Sequence, residues 1–291
     1  MDLAPLAGLA IRQLPRANAQ LTQYIRPLPN LGILRQQQPT SFEAAIYEPV
    51  VILILQGRKE TVLGGDSFPM SVGQSLLVSH DLPVIARITK TPYLALIFDI
   101  DLETLRELYE KMADPFPPAT ESRSLAVHTS DAKLVDALQR YLELAGTRTD
   151  AAVLGPLISR EIHYRLASAP FGGMLRDLIR HDSHATAIAR AIAQLRHDFR
   201  APVEIPQLAR SVGMSASSFH KHFKAITASS PLQYRKALQL MEARRLLRAG
   251  KLSVTEVAFD VGYESAAQFS RDYARKFDTS PKHDLPEARA R

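Results

Sequence analysis

The sequence has no cysteine and no long apolar run, and each absence excludes a class of function. Without cysteine among its 291 residues, the chain cannot form disulfides, thiolate metal sites or thiol-based redox sensors. No apolar stretch approaches the roughly 20 residues that a membrane-spanning helix needs, and the run at 50–55 is predicted to be a buried strand. The first residues lack the basic segment of an export signal, so we expect a cytoplasmic protein without a membrane partner.

The positive charge is concentrated towards the C-terminus. The whole chain carries a net charge of +6, from 36 Lys or Arg and 30 Asp or Glu. From Ala185 onward there are 18 basic and 10 acidic residues, a net charge of +8, and the preceding residues have a net charge of −2. This length favours two domains. A basic domain beside a mildly acidic one suggests a nucleic-acid binder joined to a domain of another kind.

One pattern in the basic region occurs twice. The segment LARSVGM at 208–214 is matched by VAFDVGY at 257–263, and the Ser-Pro pair at 230–231 recurs at 280–281. Each copy predicts a short helix, a glycine that ends it in a left-handed conformation, and a serine that caps the next helix. The repeat therefore predicts two helix-turn-helix units. They are joined by a helix over about 232–248, long enough to hold two DNA-reading helices about one helical turn apart.

The second helix of each copy has an aromatic face and a small, polar or basic face. Phe219 and Phe223 are four residues apart and predicted to be buried, as are Phe269 and Tyr273. The opposite faces, on which we also place Asp272, suit helices in the major groove of double-stranded DNA. We predict base contacts from Ser217, His220, Lys221, Ala267, Gln268 and Arg271, and phosphate contacts from Ser215, Lys224, Ser265 and Arg275. The alternative is that the two units are helical hairpins that bind no ligand. This alternative is disfavoured because the same pattern occurs twice in the same register.

The N-terminal half has a β character followed by a helical one. Short apolar segments separated by turn residues over 47–99 predict a small barrel or sandwich, with a turn at 56–59. Residues 1–45 are expected to form a loosely structured arm with a short helix near 18–25. Helices are predicted at 102–112, 131–144, 151–167 and 174–179. The apolar stripe of the helix at 131–145 fits either packing against the barrel or the seam of a homodimer.

Three kinds of function remain open for the barrel. A sensor would hold a small molecule with polar groups set among apolar strands, for which the candidates are Tyr47, Gln56, Lys59, His80 and Tyr93. A barrel without a ligand would serve only for dimerisation. A metal-dependent enzyme needs a cluster of histidine and carboxylate ligands, and the barrel segment contains His80 alone. We therefore predict no metal, no cofactor and no catalysis.

The repeat resembles the DNA-binding domain of the AraC/XylS family of transcription regulators. The resemblance is carried by 205–209 (IPQLA), 212–215 (VGMS), 230–234 (SPLQY), 257–265 (VAFDVGYES) and 268–273 (QFSRDY). In the N-terminal half, YEP at 47–49, LQGRK at 55–59, LGG at 63–65 and the segment 77–84 resemble the cupin-like effector domain of one subgroup. The chain departs from the family pattern at Asp278, where glycine is usual, and at 283–285, where a tyrosine is usual.

The resemblance implies a two-domain α+β protein. A small cupin-like β-barrel with flanking helices, residues 1–170, would bind an effector or form the dimer. Residues 171–186 would be a linker, and 187–291 an all-α domain of two helix-turn-helix units joined by a long helix. The implied protein is a bacterial, nucleoid-associated regulator with double-stranded DNA, a small-molecule effector, a second copy and RNA polymerase as partners. Activation and repression are both left open.

Overall fold

The structure, a computed structural model, describes residues 2–15, 21–111, 123–180 and 183–286. The chain divides into two compact units, Met1–Thr186 and Ala187–Arg291. The short helix predicted near 18–25 lies partly outside the described residues. From Thr22 onward that segment is a strand, so the helix prediction is wrong there.

The described part of the first unit contains eight strands in one antiparallel sheet. They are β1 (Thr22–Leu28), β2 (Leu31–Gln36), β3 (Glu43–Tyr47), β4 (Val50–Leu63), β5 (Asp66–Ser71), β6 (Gln74–Val78), β7 (Leu82–Asp99) and β8 (Leu125–Thr129). Their spatial order is β1-β2-β7-β4-β6-β8, with β3 paired to β7 and β5 paired to β4. The two longest strands, β4 and β7, bend and curl the sheet into the predicted cupin-like barrel.

The turn predicted at 56–59 is wrong, because β4 continues through it. The register between β4 and β7 shifts at three places between Ile54 and Lys59, so the strand bends without ending. Gly57 has a φ of 78°, and a Cβ there would lie 2.3 Å from the carbonyl oxygen of Lys90. Only glycine fits this bend. Beyond it, Lys59 and Thr61 are both buried.

Helices cover one face of the sheet. They are α1 (Ala4–Gln13), α2 (Leu102–Glu110), α3 (Ala132–Glu143), α4 (Arg148–Val153), α5 (Gly155–Ser168) and α6 (Gly173–Ile179). Alternate residues of β4 and β7, such as Val51, Leu53 and Phe98, share a core with these helices. Helix α1 lies in the segment expected to be loosely structured. Leu6 and Ala10 are buried in the same core, so that expectation was wrong.

The apolar stripe of α3 is used within the unit. Leu134, Leu138 and Leu142 are each at most 2% exposed and belong to the core, and the Tyr141 hydroxyl donates to the carbonyl of Pro29 at 2.8 Å. Of the two interpretations of the helix at 131–145, packing against the barrel domain is therefore the one observed. The stripe is not available as the seam of a homodimer.

The segment 171–186, expected to be a linker, is packed into the first unit. Leu175 and Ile179 of α6 are buried in the core. Thr186 donates its hydroxyl to the carbonyl oxygen of Leu178 at 2.7 Å. The polar composition at 181–184 suggested a linker, but the buried side chains of α6 and the hydrogen bonds of Thr186 tie the segment to the barrel domain.

Six α-helices lie in the described residues towards the C-terminus. They are α7 (His184–His197), α8 (Ile205–Ser211), α9 (Ala216–Thr227), α10 (Pro231–Ala249), α11 (Val254–Asp260) and α12 (Ala266–Phe277). The pairs α8–α9 and α11–α12 are the two predicted helix-turn-helix units. Helix α10 has 19 residues and joins them, which corresponds to about 28 Å at 1.5 Å per residue.

Both turns have the predicted chemistry. Gly213 and Gly262 have φ values of 77° and 88°, as expected after a helix end. The Ser215 side chain accepts a hydrogen bond from the Ser218 amide at 3.3 Å, and Ser265 accepts one from Gln268 at 3.4 Å. These caps start α9 and α12 at the predicted positions.

The two departures from the family pattern have structural explanations. Asp278 ends α12 in the left-handed conformation, with a φ of 52°, which is why glycine suits this position. In place of the usual tyrosine, Asp284 accepts hydrogen bonds from Arg244 at 3.1 Å, Arg248 at 3.0 Å and the Tyr273 hydroxyl at 2.6 Å. The end of the described chain is thus tied to α10 and α12 by one carboxylate.

Candidate nucleic-acid interface and barrel cavity

Helix α9 presents the predicted polar face to solvent. Phe219 and Phe223 are fully buried, and their rings lie 5.4 Å apart. The predicted base-contact residues Ser217, His220 and Lys221 are exposed on the other side. Ser215 and Lys224, predicted to contact phosphate, are exposed as well. The buried aromatic face holds the helix in place and leaves the polar face free for a ligand.

Helix α12 has the same division with different residues. Phe269 and Tyr273 are fully buried, and Ala267, Gln268 and Arg271 are exposed, as is the capping Ser265. The exposed faces of α9 and α12 therefore share a position in their units but not a chemistry. Serine, histidine and lysine on α9 are matched by alanine, glutamine and arginine on α12.

Asp272 is buried, so its predicted place on the exposed face of α12 was wrong. Its carboxylate lies 2.7 Å from the ammonium of Lys236 on α10, accepts a hydrogen bond from the Tyr263 hydroxyl at 3.3 Å, and pairs with Arg275. Burial raises the pKa of Asp272, but Lys236, Arg275 and Tyr263 lower it by more, so the group is ionised near neutral pH. Arg275, predicted to contact phosphate, is 75% exposed although it is paired.

The barrel contains a cavity of about 510 Å³, a size typical of small-molecule sites. Its wall includes the apolar residues Leu34, Ile46, Val50, Ile52, Ile88 and Ile97. Of the predicted effector-binding residues, Tyr47 and Lys59 line it. Tyr93 is buried on the same face of β7 as Ile97 and Asp99, which also line the cavity, because side chains alternate along a strand.

Two predicted effector-binding residues lie elsewhere. His80 is buried, and its ring nitrogens are bonded to the Ser79 hydroxyl at 2.9 Å and the Ala185 carbonyl at 3.1 Å. Burial lowers the pKa of His80 to about 4, so it is neutral and structural. Gln56 is half-buried at the bend of β4 and is not part of the cavity wall. The predictions for His80 and Gln56 are therefore corrected.

Lys59 is the unusual group of the cavity. Its side chain is 8% exposed, and its ammonium lies 5.2 Å from the centre of the Tyr47 ring. Burial lowers the pKa of Lys59, but the phenol groups of Tyr47 and Tyr93 raise it by more, so the lysine keeps its charge. Burial raises the pKa of Tyr93 to about 12, so this phenol is protonated.

Sequence reasoning missed one polar residue of this region, Thr61. Its hydroxyl is buried without a hydrogen-bond partner among the described residues. Thr61 is two residues beyond Lys59 on the same face of β4. Strand alternation would have found it if the predicted turn at 56–59 had been read as a bend.

Comparison with known proteins agrees with this architecture. The family profile described as "AraC-type transcriptional regulator N-terminus" matches residues 27–174, just over half of the chain. A profile described as "Helix-turn-helix domain" matches residues 208–285. The chain belongs to the family of AraC-type transcriptional regulators.

Individual relatives match in sequence over the C-terminal domain. The transcriptional activator RhaS of Escherichia coli is 31% identical over 101 residues, 35% of this chain and 36% of that protein. The transcriptional regulator AlkR of Acinetobacter baylyi is 33% identical over 96 residues, 33% of this chain and 31% of that protein. The chain thus spans about a third of the length of these curated relatives.

Solved structures share the fold across both units. An apo variant of ToxT from Vibrio cholerae has a TM-score of 0.56 at 9% identity, covering 92% of this chain and 98% of that one. Wild-type ToxT with a bound unsaturated fatty acid has a TM-score of 0.54 at 11% identity, covering 92% and 96%. At these levels of sequence identity, the similarity to ToxT shows a shared fold and nothing more.

Two features are absent from the described residues. No helix there is both long enough and apolar enough to cross a membrane. Within the same ranges, no three histidine, cysteine, aspartate or glutamate side chains are grouped so that they could hold a metal ion.

Proposed function

We propose that this chain is a sequence-specific regulator of transcription that binds double-stranded DNA through α9 and α12. The observation that carries the proposal is the pair of capped helix-turn-helix units, each with a buried aromatic face opposite an exposed polar face. The net charge of +8 on this part of the chain supports an anionic partner. The base and phosphate contacts assigned above to α9 and α12 belong to this proposal.

The first unit is proposed to sense a small molecule and the second to bind DNA, with the boundary at 186/187. The cavity and its buried lysine support a sensor over a barrel that serves only for dimerisation. ToxT, which shares the fold, has been solved with an unsaturated fatty acid bound. For the present chain, we propose that a small-molecule effector likewise binds in the first unit. We propose no catalytic activity.

The proposal is tested with the purified full-length protein on fragmented genomic DNA. We expect a small set of fragments to be retained at a salt concentration that releases bulk DNA. Footprinting on these fragments would define the site. Retention of all fragments alike, with no footprint, would contradict a sequence-specific regulator.

Variants connect the binding to the two reading helices. Lys221→Ala and Arg271→Ala should each weaken binding to the footprinted site. Arg190→Ala removes an exposed positive charge from α7, outside both helix-turn-helix units, and should have a much smaller effect. Equal losses in all three variants would indicate binding by net charge alone.

A cytoplasmic location, a homodimer and contact with RNA polymerase complete the proposal. The stripe of α3 is buried, so a dimer needs another surface. Among the described residues, the exposed large apolar side chains nearest in sequence are Val153, Leu154, Leu157 and Tyr164, at 63%, 42%, 64% and 42% exposure. Sedimentation of the wild type and of Leu157→Glu tests this: a wild-type monomer, or a dimer unchanged by the substitution, would contradict it.

A further inference from the structure

Lys59 carries a buried positive charge that no carboxylate of the described residues neutralises. Its ammonium lies 5.2 Å from the centre of the Tyr47 ring and interacts with Tyr93, and neither of these side chains is a carboxylate. Taking an ammonium out of water is costly unless an opposite charge or several hydrogen bonds replace the lost hydration. An uncompensated charge in a ligand-sized cavity therefore indicates that the counter-ion comes from outside the protein.

Two buried hydroxyl groups nearby also lack hydrogen-bond partners. The phenol oxygen of Tyr93 and the side-chain oxygen of Thr61 are both buried and unpaired within the described ranges. Tyr93 is fully buried and interacts electrostatically with Lys59, and Thr61 follows Lys59 on the same strand face. Buried polar groups in proteins are nearly always paired, so these need a partner. Each can donate one hydrogen bond to an anion.

The two arginines of the cavity wall each have a carboxylate partner within the protein. Arg26 lies 2.5 Å from the carboxylate of Asp99, and Arg87 lies 2.7 Å from Glu60. The remaining acidic groups of the wall, Glu43 and Glu48, are exposed. The deepest positive charge is therefore that of Lys59. Much of the surrounding wall is aliphatic.

We propose that the barrel binds an organic carboxylate with an apolar body, whose carboxylate lies between Lys59 and the Tyr93 hydroxyl. The ammonium supplies the opposite charge, and Tyr93 and Thr61 donate the hydrogen bonds that fix the head group. The apolar body lies against the aliphatic wall, where its removal from water favours binding. This inference rests on the proposed sensor function of the barrel and names the chemistry of its effector.

The test compares three compounds with the same apolar body and different head groups. The full-length protein is titrated with octanoate, octan-1-ol and octylamine, followed by calorimetry and by the thermal unfolding midpoint. Octanoate should bind and raise the midpoint. The alcohol should bind at least about tenfold more weakly, because it lacks the charge-assisted hydrogen bonds. The amine should not bind, because two ammonium groups would repel each other.

Three variants locate the head group. Lys59→Met keeps the length of the side chain without its charge and should remove the preference for octanoate over the alcohol. Tyr93→Phe should weaken octanoate binding roughly ten- to a hundredfold, as expected for one lost hydrogen bond to a charged group. Lys90→Met alters an exposed lysine of β7 and should bind octanoate like the wild type. If Lys59→Met does not fold, octanoate binding by Tyr93→Phe tests the proposal instead. We expect Tyr93→Phe to fold, because the substitution removes only an unpaired hydroxyl.

Four results would each overturn the inference. The first three are no binding of octanoate, equal binding of octanoate and the alcohol, or unchanged octanoate binding in Lys59→Met and Tyr93→Phe. The fourth is a loss of octanoate binding in Lys90→Met as large as that in Lys59→Met. Retention of specific genomic DNA is measured on the same preparations. A protein that binds DNA but not octanoate contradicts the effector class alone, whereas one that binds octanoate but no DNA contradicts the proposed function.

Discussion

Asp272 on α12 and Lys236 on α10 form an ion pair of 2.7 Å in which the aspartate is only 8% exposed. The pair joins the second reading helix to the helix that bridges the two units. The first helix-turn-helix unit has a histidine, His222, at the corresponding position instead of a carboxylate. The orientation of α12 relative to α10 thus depends on a buried carboxylate that α9 does not have at the equivalent position.

Asp272→Asn should destabilise the DNA-binding domain by about 1–2 kcal/mol. The buried group loses its charge while Lys236, 40% exposed, can regain water, which keeps the loss below that of a fully buried pair. Urea unfolding followed by circular dichroism measures it. The matched control is Asp260→Asn, since Asp260 is 47% exposed and pairs with Arg200 at 3.5 Å. Asp260→Asn should lower the free energy of unfolding by less than about 0.5 kcal/mol. Equal losses of stability in the two variants would refute the special role of Asp272.

Asp284 should make the stability of the C-terminal domain depend on acid. Burial raises its pKa, but Tyr273, Arg248 and Arg244 lower it by more, so the pKa in the folded protein is below the ordinary value. The stabilisation that ionised Asp284 gives the folded protein is therefore fully present above the ordinary aspartate pKa of about 4. It is lost as the pH falls through the pKa that Asp284 has in the folded protein. The stability difference between wild type and Asp284→Asn should be constant from about pH 7 to 5 and shrink below about pH 4. A difference independent of pH over this range would contradict the charge interaction.

Ala228→Gly should stabilise the protein by about 1 kcal/mol. Ala228 ends α9 with a φ of 55°, a left-handed conformation that costs alanine about 1 kcal/mol relative to glycine. Asp278→Gly, at the equivalent position after α12, should act in the same direction. Thermal unfolding measures both, with Ala216→Gly in the first turn of α9 as the control that should destabilise. A lower midpoint for Ala228→Gly would show that the left-handed turn is not the dominant cost.

Tyr93→Phe should stabilise the ligand-free protein by about 1 kcal/mol, because it removes a buried hydroxyl without a partner. The matched control is Tyr141→Phe. The hydroxyl of Tyr141 donates to Pro29 at 2.8 Å, so its removal should destabilise by about 1 kcal/mol. Denaturant midpoints of the two variants should move in opposite directions. A destabilised Tyr93→Phe would mean that the hydroxyl has a partner in the free protein.

The DNA site read by one protomer should be non-palindromic, because the exposed faces of α9 and α12 differ. If Lys221 reads a base, Lys221→Ala should cost about 1–3 kcal/mol at the specific site and relax the preference at one position. Gln268→Ala should relax the preference about one helical turn away. Binding selections with randomised sites measure both. Identical half-sites within one footprint would contradict distinct reading by the two helices.

Local signals in the sequence were sufficient for the C-terminal domain. Glycines after the first helices, capping serines before the second and aromatic pairs four residues apart all act within one or two helical turns. A sequence pattern can therefore identify them without knowledge of the fold. Asp272 is the exception, because it is buried only through contacts with Lys236 and Tyr263, which lie on other segments of the domain.

Tertiary structure decided most of the barrel. Whether 56–59 is a turn or a bend depends on the pairing of β4 with β7, which brings together residues some 30 positions apart. That pairing directs Lys59 into the cavity, and the burial of α6 converts an apparent linker into core. The sequence determined that this chain has two helix-turn-helix units, since their signals are local. Which polar groups of the barrel meet in its cavity was decided by strand pairing, because side-chain direction depends on register.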